Sequence, residues 1–191
     1  MRSIDSGAQF EGSRSAHKGF IERQTARVRR LSDPRDVLRS IVTKYLLPSN
    51  FFPESLVFRA LKISGFEVVE PCGFSGARIQ TPSLTIGIGT WANRGVSIEG
   101  RGAVSIGEGV LIGPEVLIVT STHERATDGR VRADSTYQPV RIGNHCWIGA
   151  RVMILPGVTI DDGVTVAAGA VVAADLGPGG LYGGVPARRL K

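Results

Sequence analysis

The stretch "PVRIGNHCWIGARVMILPGVTIDDGVTVAAGAVVAADL", residues 139–176, decides the fold. Within it an aliphatic residue recurs every six positions without a miss: Ile142, Ile148, Ile154, Ile160, Val166 and Val172. Two positions before each stands a second, smaller apolar residue: Val140, Cys146, Val152, Val158, Val164 and Ala170. A spacing of two puts both side chains on the same face of a short strand. Turn-forming residues such as Gly143, Gly149 and Asp161 follow directly. Strand and turn therefore alternate every six residues, and three strands make one revolution of a coil. Stacked coils of this kind form a solenoid whose interior receives two aliphatic side chains per strand. No α-helix has a period of six, and a membrane barrel needs longer strands.

Upstream the same rhythm appears at Ile106, Ile112 and Ile118, and again at Ile86, Ala92 and Ile98, with a slip of two residues at "EGRG", 99–102. The fold class expected is therefore an all-β solenoid, a parallel β-helix of about five coils whose first coil begins between Val68 and Ile79. Before it, "DPRDVLRSIVTKYLL" (33–47) carries a helical stripe of Val37, Leu38, Ile41, Val42, Tyr45 and Leu46. Asp33 suits its cap and Pro34 its first turn. A second short helix, "PESLVFRALKISG" (53–65), stops at Gly65. Residues 1 to about 30 read as loosely ordered. Two parts result: a basic, flexible-to-helical extension over 1–67 and the solenoid domain over 68–191.

The net charge of +6 belongs wholly to the first part: residues 1–62 hold 12 Lys/Arg against 6 Asp/Glu, and residues 63–191 hold 11 of each. A solvated basic arm and helix face account for this more simply than a nucleic-acid or anionic-membrane contact, and the neutral solenoid is no general polyanion binder. The 25 glycines in 191 residues are close to twice ordinary usage of about 7%, as a turn at every sixth residue demands. Two cysteines, Cys72 and Cys146, make no disulfide framework. No apolar run approaches the roughly 18 residues of a membrane span, and residues 1–20 lack the apolar centre of a secretory signal. The expectation is a cytoplasmic protein without membrane insertion or nucleic-acid partner.

The rhythm breaks once, over 119–141, where Ile118 and Ile142 stand 24 positions apart. That polar stretch is read as an extruded loop, and it holds His123, one of only three histidines.

These features carry a resemblance. The series "IGNHCWIG…PGVTI…GAVVAADL", followed by "GGVPARRLK", resembles the hexapeptide-repeat acyltransferases of left-handed β-helix fold. Within them it is most similar to the maltose/galactoside and polysaccharide O-acetyltransferases, over residues 68–191. The left-handed coil is implied by this resemblance and not by the spacing. So are a homotrimer with its active site in a cleft between two subunits, and acetyl-CoA (or another acyl-CoA) as co-substrate lying along the coils. No permanently bound cofactor and no metal are implied.

The resemblance places the catalytic base at His123, in "TSTH" at the start of the loop. The chemistry suits: an acceptor hydroxyl must lose its proton as it attacks a thioester, and an imidazole with an ordinary pKa of about 6.5 is matched to that task. Asn93, in "GTWANRG", would hold the acceptor sugar, its amide suiting a vicinal hydroxyl pair; a turn-forming Asn is the competing reading. Trp91 would stack on the sugar or pack between subunits. Ala150 would offer its amide to the thioester oxygen, Ala168 and Gly169 would let pantetheine approach the backbone, and Trp147 would wall the cleft. Arg188, Arg189 and Lys191 would meet CoA phosphates or form a solvated basic tail. The chain departs from the family where a Thr-Lys pair is replaced by Ala173-Ala174.

The residues also bear on other classes. A zinc hydratase of the same fold needs three clustered histidines, but His17, His123 and His145 are far apart in sequence. Cys146 fills a valine slot and reads as core, so its neighbour His145 faces outward. Glu124 reads as an exposed charge. The alternatives kept are an acyltransferase for an amino acid, a drug or a longer acyl chain, and a non-catalytic trimeric scaffold.

Overall fold

The computed structural model describes residues 34–49, 53–70, 72–74 and 76–191. The proposed cap Asp33, the segment 1–30 and His17 lie outside the described residues. Helix α1 (Pro34–Ile41) opens on the proline, as its fixed φ favours. A unit boundary falls after Leu38, and every strand belongs to the second unit, Arg39–Lys191. The helical path continues through a π-helical turn, Val42–Leu46, closed by the Leu47 amide donating to the Val42 carbonyl at 2.9 Å. That extra residue in the turn shifts the phase of the stripe. Val42, Thr43 and Leu47 are buried, whereas Ile41 and Tyr45 of the expected stripe are exposed. Helix α2 (Glu54–Ile63) stops as expected at Gly65, whose φ of +84° is the left-handed conformation of a helix end.

The rest is a parallel β-solenoid with three sheets as its walls. The first sheet holds β1 (Glu67–Val68), β3 (Leu84–Ile86), β6 (Val104–Ile106), β11 (Val140–Ile142) and β14 (Thr159–Ile160). The second holds β4 (Trp91–Ala92), β7 (Leu111–Ile112), β12 (Trp147–Ile148), β15 (Thr165–Val166) and β17 (Leu181–Gly183), closed by the antiparallel β18 (Arg188–Arg189). The third holds β2 (Arg78–Ile79), β5 (Ser97–Glu99), β8 (Leu117–Val119), β13 (Met153–Ile154) and β16 (Val171–Val172). Five coils are complete and a sixth is partial, its Leu176 bridging to Ile160.

The sequence rhythm becomes three inner columns. Ile86, Ile106, Ile142 and Ile160 stack in register along the first sheet, and Ile79, Ile98, Ile118, Ile154 and Val172 along the third. All are at most 3% exposed. Each buried aliphatic side chain contributes about 1.5–3 kcal/mol, so the columns dominate the stability of a fold whose strands are only two or three residues long. Cys146 is 1% exposed in one column between Val110 and Val164, a core residue as read.

The single interruption is a β-hairpin, β9 (Ser121–Arg125) with β10 (Val131–Tyr137). It leaves the solenoid where the third sheet hands over to the first. What the sequence suggested as a loop thus has strand order, turned at Asp128-Gly129, where Ala126 and Arg130 are joined backbone to backbone at 2.8 Å. Among the described residues no helix is long and apolar enough to cross a membrane.

Candidate active site

Three corners join the walls, and each gathers equivalent residues of successive coils. Corner one runs from the first sheet to the second, corner two from the second to the third, and corner three from the third to the first. The candidate site residues divide between corners two and three.

Corner two collects Asn93, Ala150, Ala168 and Gly169. Register places Arg94, Pro114, Ala150 and Ala168 at one level of successive coils. Their amides differ. The Arg94 amide donates to Asn93 Oδ1 at 2.8 Å, and Pro114 has no N–H. The amides of Ala150 and Ala168 donate to nothing among the described residues, so two open N–H groups stack one coil apart, about 4.8 Å. At corner one the comparable amides are closed: Glu108 donates to Asn144 Oδ1 at 3.0 Å and Asn144 to Asp162 Oδ1 at 2.7 Å. Backbone donors without partners are rare unless solvent or a ligand takes them. Gly169, with φ +72°, has open space where a side chain would stand. Sequence reasoning reached Ala150 as an amide donor by resemblance; that Ala168 matches it follows only from the register.

The turn role of Asn93 is realised, because its Oδ1 caps the Arg94 amide. Its Nδ2 makes no hydrogen bond among the described residues and faces solvent. Trp91 lies over Gly73, where a Cβ would overlap the indole. With Leu111 and Trp147 it forms an outward column on the second sheet, 41%, 53% and 58% exposed respectively. At the carboxyl end β18 pairs antiparallel with β17, setting Arg188 opposite Gly183, the continuation of corner two. The tail is therefore a strand, not a free arm. Arg189 lies 5.8 Å from the centre of the Tyr182 ring and donates to the Lys191 carbonyl at 3.2 Å.

Between the Asn93 coil and the Ala168 coil, corner two carries Glu115 and Arg151, which sequence reasoning missed. Arg151 donates through Nε to Glu115 Oε2 at 2.6 Å. The hydrogen bond to Arg151 holds the Glu115 carboxyl below its ordinary pKa and, in return, raises that of the guanidinium.

His123 stands at corner three, on the exposed part of β9, with Ser135 opposite. Its Nδ1 lies 3.0 Å from the Arg132 carbonyl oxygen. A carbonyl only accepts, so Nδ1–H donates to it, and in the neutral ring the lone pair is then on Nε2, turned away from that contact. The third sheet separates this ring from the open amides of corner two on the same chain.

His145 faces outward as expected, but for another reason: it sits in corner one with φ +55°, 3.5 Å from Glu108. Burial pushes the Cys146 thiol up, and it donates to the Asp161 carbonyl at 3.1 Å. Among the described residues no three His, Cys, Asp or Glu side chains cluster as metal ligands.

Residues 139–174 match the family model described as bacterial transferase hexapeptide (six repeats). The match spans the coils from β11 to β16. The hexapeptide solenoid is similar to the galactoside O-acetyltransferase of Escherichia coli K12, 36% identical over 109 residues, 57% of this chain and 54% of that one. The chain thus spans about half the length of that curated relative. Among solved structures it is similar to a maltose O-acetyltransferase from Clostridium difficile 630, with TM-score 0.69 and 26% identity over 84% of this chain and 87% of that one. It is also similar to a hexapeptide-repeat acetyltransferase of Vibrio cholerae O1 biovar eltor complexed with acetyl coenzyme A, with TM-score 0.65 and 28% identity over 87% and 88% of the two chains.

Proposed function

We propose that this chain is an acyl-CoA-dependent O-acetyltransferase that moves the acetyl group of acetyl-CoA to a hydroxyl of a sugar or saccharide. The observation that carries the reading is the His123 ring, whose Nδ1–H is committed to a carbonyl so that Nε2 is left as the base. The acceptor oxygen attacks the thioester carbon while Nε2 takes its proton. The tetrahedral oxyanion is met by the open Ala150 amide, an oxyanion-type contact. The carbon–sulfur bond then breaks, and the imidazolium returns the proton to the departing thiolate. Both substrates are bound together, and no cysteine intermediate forms: Cys146 is buried with its thiol protonated.

Corner two supplies the donor track in this reading. Pantetheine runs past Ala168 and Gly169 toward Arg188, with Arg189 and Lys191 beside it for phosphate charge. Asn93 Nδ2 is the donor offered to the acceptor, and Trp91 and Trp147 supply apolar walls. The separation of His123 from corner two supports a homotrimer, in which the hairpin of one subunit reaches the donor corner of its neighbour. The location proposed is cytoplasmic, where acetyl-CoA is supplied.

The test is thiol release from acetyl-CoA with a panel of sugars and oligosaccharides, for the wild type and His123→Ala. Sugar-dependent release that falls by on the order of 10²-fold or more in the variant is expected of a general base. Equal release by the variant would remove His123 from the mechanism. Absence of any release, together with absence of CoA binding, would leave a scaffold.

A further inference from the structure

The two-residue slip at "EGRG" has a structural counterpart one coil further on. At corner three, successive coils stack Thr81, then Gly100–Gly102, then the root of the hairpin, then Gly157. Thr120, the last residue before β9, is fully buried although polar. Its Oγ1 accepts from the Gly102 amide at 3.0 Å and donates to the Glu99 carbonyl at 3.0 Å. Its carbonyl accepts from the Gln138 amide at 2.9 Å, closing the hairpin where the chain rejoins the coil. From the opposite side Thr81 Oγ1, itself 1% exposed, donates to the Gly102 carbonyl at 2.7 Å.

The fit is steric as well as polar. A Cβ at Gly102 would stand 2.5 Å from the Gln138 carbonyl oxygen and 2.8 Å from Thr120 Cβ. A Cβ at Gly100, whose φ is +102°, would stand 2.5 Å from Thr120 Oγ1. On the next coil a Cβ at Gly157 would meet Gln138 Oε1 at 2.6 Å. Both ends of the hairpin thus meet over Gly102 of the coil before it, and the Gln138 side chain lies over Gly157 of the coil after it. Beyond the root little else within the chain holds it: Ser121, Thr122, Ala126, Ser135 and Thr136 are half-buried, while His123 to Arg125 and Val131 to Asp134 are exposed.

We propose that Gly100, Gly102, Thr120 and Gln138 form the seat that sets the direction of the hairpin, with Thr120 a positioning residue for His123. The inference rests on the proposed role of His123. Three steps of extended chain lead from Thr120 to His123, about 10 Å at 3.3 Å per residue. On that lever a tilt of about 6° at the root displaces the imidazole by about 1 Å, enough to cost on the order of 10²-fold in rate when a reacting geometry is lost. The slip in the repeat is then the space cut for the hairpin root, because residues with side chains at 100 and 102 would push it away.

The test combines amide hydrogen exchange with steady-state kinetics on the full chain, for Thr120→Val, Thr120→Ser and Gly102→Ala. Thr120→Val keeps the shape and removes the hydroxyl; Gly102→Ala adds only the clashing methyl. The expected result is faster exchange across 121–137 with the coil amides unchanged. Alongside it, kcat falls by about 10- to 10²-fold at an unchanged KM for acetyl-CoA, and Thr120→Ser recovers it. Should Thr120→Val and Gly102→Ala keep wild-type hairpin exchange and kcat, the seat is refuted. A parallel loss of coil protection and CoA binding would also overturn it, showing a general structural role. His123→Ala run alongside separates the two readings: if that variant turns over normally, the base assignment fails, and exchange alone then decides the seat.

Discussion

Glu115 and Arg151 lie one above the other at the same corner of successive coils, both in the left-handed conformation with φ of 59° and 58°, joined by a 2.6 Å hydrogen bond. At the same level the coils on either side carry glycine, Gly95 and Gly169, with φ of +75° and +72°. Two residues that pay for a left-handed backbone therefore stand where glycine would not, tied to each other in open solvent. Because an exposed ion pair contributes little, Arg151→Gly is expected to be at least as stable as the wild type and clearly more stable than Arg151→Ala, which keeps the strain and loses the pair. Thermal melts of the two variants check this order. The hydrogen bond lowers the Glu115 pKa below its ordinary 4.5. The folded carboxyl thus holds its proton less tightly than the unfolded one, and the small stabilisation is present above pH 4.5 and fades as pH falls below it. The gap between wild type and Glu115→Gln should close in acid.

Asn93 has two separable jobs. Its Oδ1 caps the Arg94 amide, whereas its Nδ2 is offered outward. Asn93→Asp keeps an oxygen for the cap and removes the donor. An unchanged melting temperature with an acceptor KM raised about 2- to 10-fold, the worth of one net hydrogen bond, is expected. Asn93→Ala should lose the cap as well and melt lower. If Asn93→Asp has the wild-type acceptor KM, the residue serves the turn alone.

Both cysteines are buried, and burial pushes the Cys146 thiol above its ordinary 9.0. Ellman's reagent should therefore meet two thiols only after denaturation. The folded state keeps the Cys146 proton where the unfolded chain gives it up, so this group makes stability fall as pH rises past 9.0. Cys146→Val, matching Val110 and Val164 on neighbouring coils, should flatten that alkaline decline without loss of stability at neutral pH. Denaturant midpoints measured from pH 7 upward test both statements.

Ile154 is fully buried between Ile118 and Val172 in the third-sheet column. Ile154→Ala should cost about 2–5 kcal/mol in chemical denaturation, the range for a large-to-small change in a packed core. Val131→Ala, at an exposed hairpin position, should change stability by less than about 0.5 kcal/mol.

The solenoid was legible because its signal is repeated: each aliphatic at a spacing of six votes for the same coil, and one miss such as Ala92 does not change the count. Features that depend on a single local event were less so. The stripe Val37 to Leu46 counted a regular turn, and the π-helical turn at Val42–Leu46 moved the buried face to Val42, Thr43 and Leu47. The hairpin carried a turn signal, Asp128-Gly129, but its strands are polar on both faces and show no alternation. His123 could be singled out from its place in the interruption together with the family resemblance. The tautomer set by the Arg132 carbonyl could not, since backbone oxygens leave no trace in side-chain order. The open amides of Ala150 and Ala168 are invisible for a related reason: at corner one each amide is taken by a side chain of the following coil, Asn144 or Asp162, whereas the residues that follow Ala150 and Ala168 in register, Ala168 and Gly184, have no side-chain acceptor.

The hairpin enters between β8 and β11 without disturbing either neighbour. β11 still pairs with β6 as Val140 with Val104 and Ile142 with Ile106, and β13 still pairs with β8 as Ile154 with Ile118. A piece of chain about as long as one whole coil is thus added without loss to the ladder, as a branch leaves a trunk without bending it. It follows that reactivity and architecture can be inherited separately: the trunk would tolerate a longer, shorter or different branch at the same corner, so long as the notch at Gly100–Gly102 and the clasp between Thr120 and Gln138 are kept. Change can then accumulate in one small segment while the coils stay as they are.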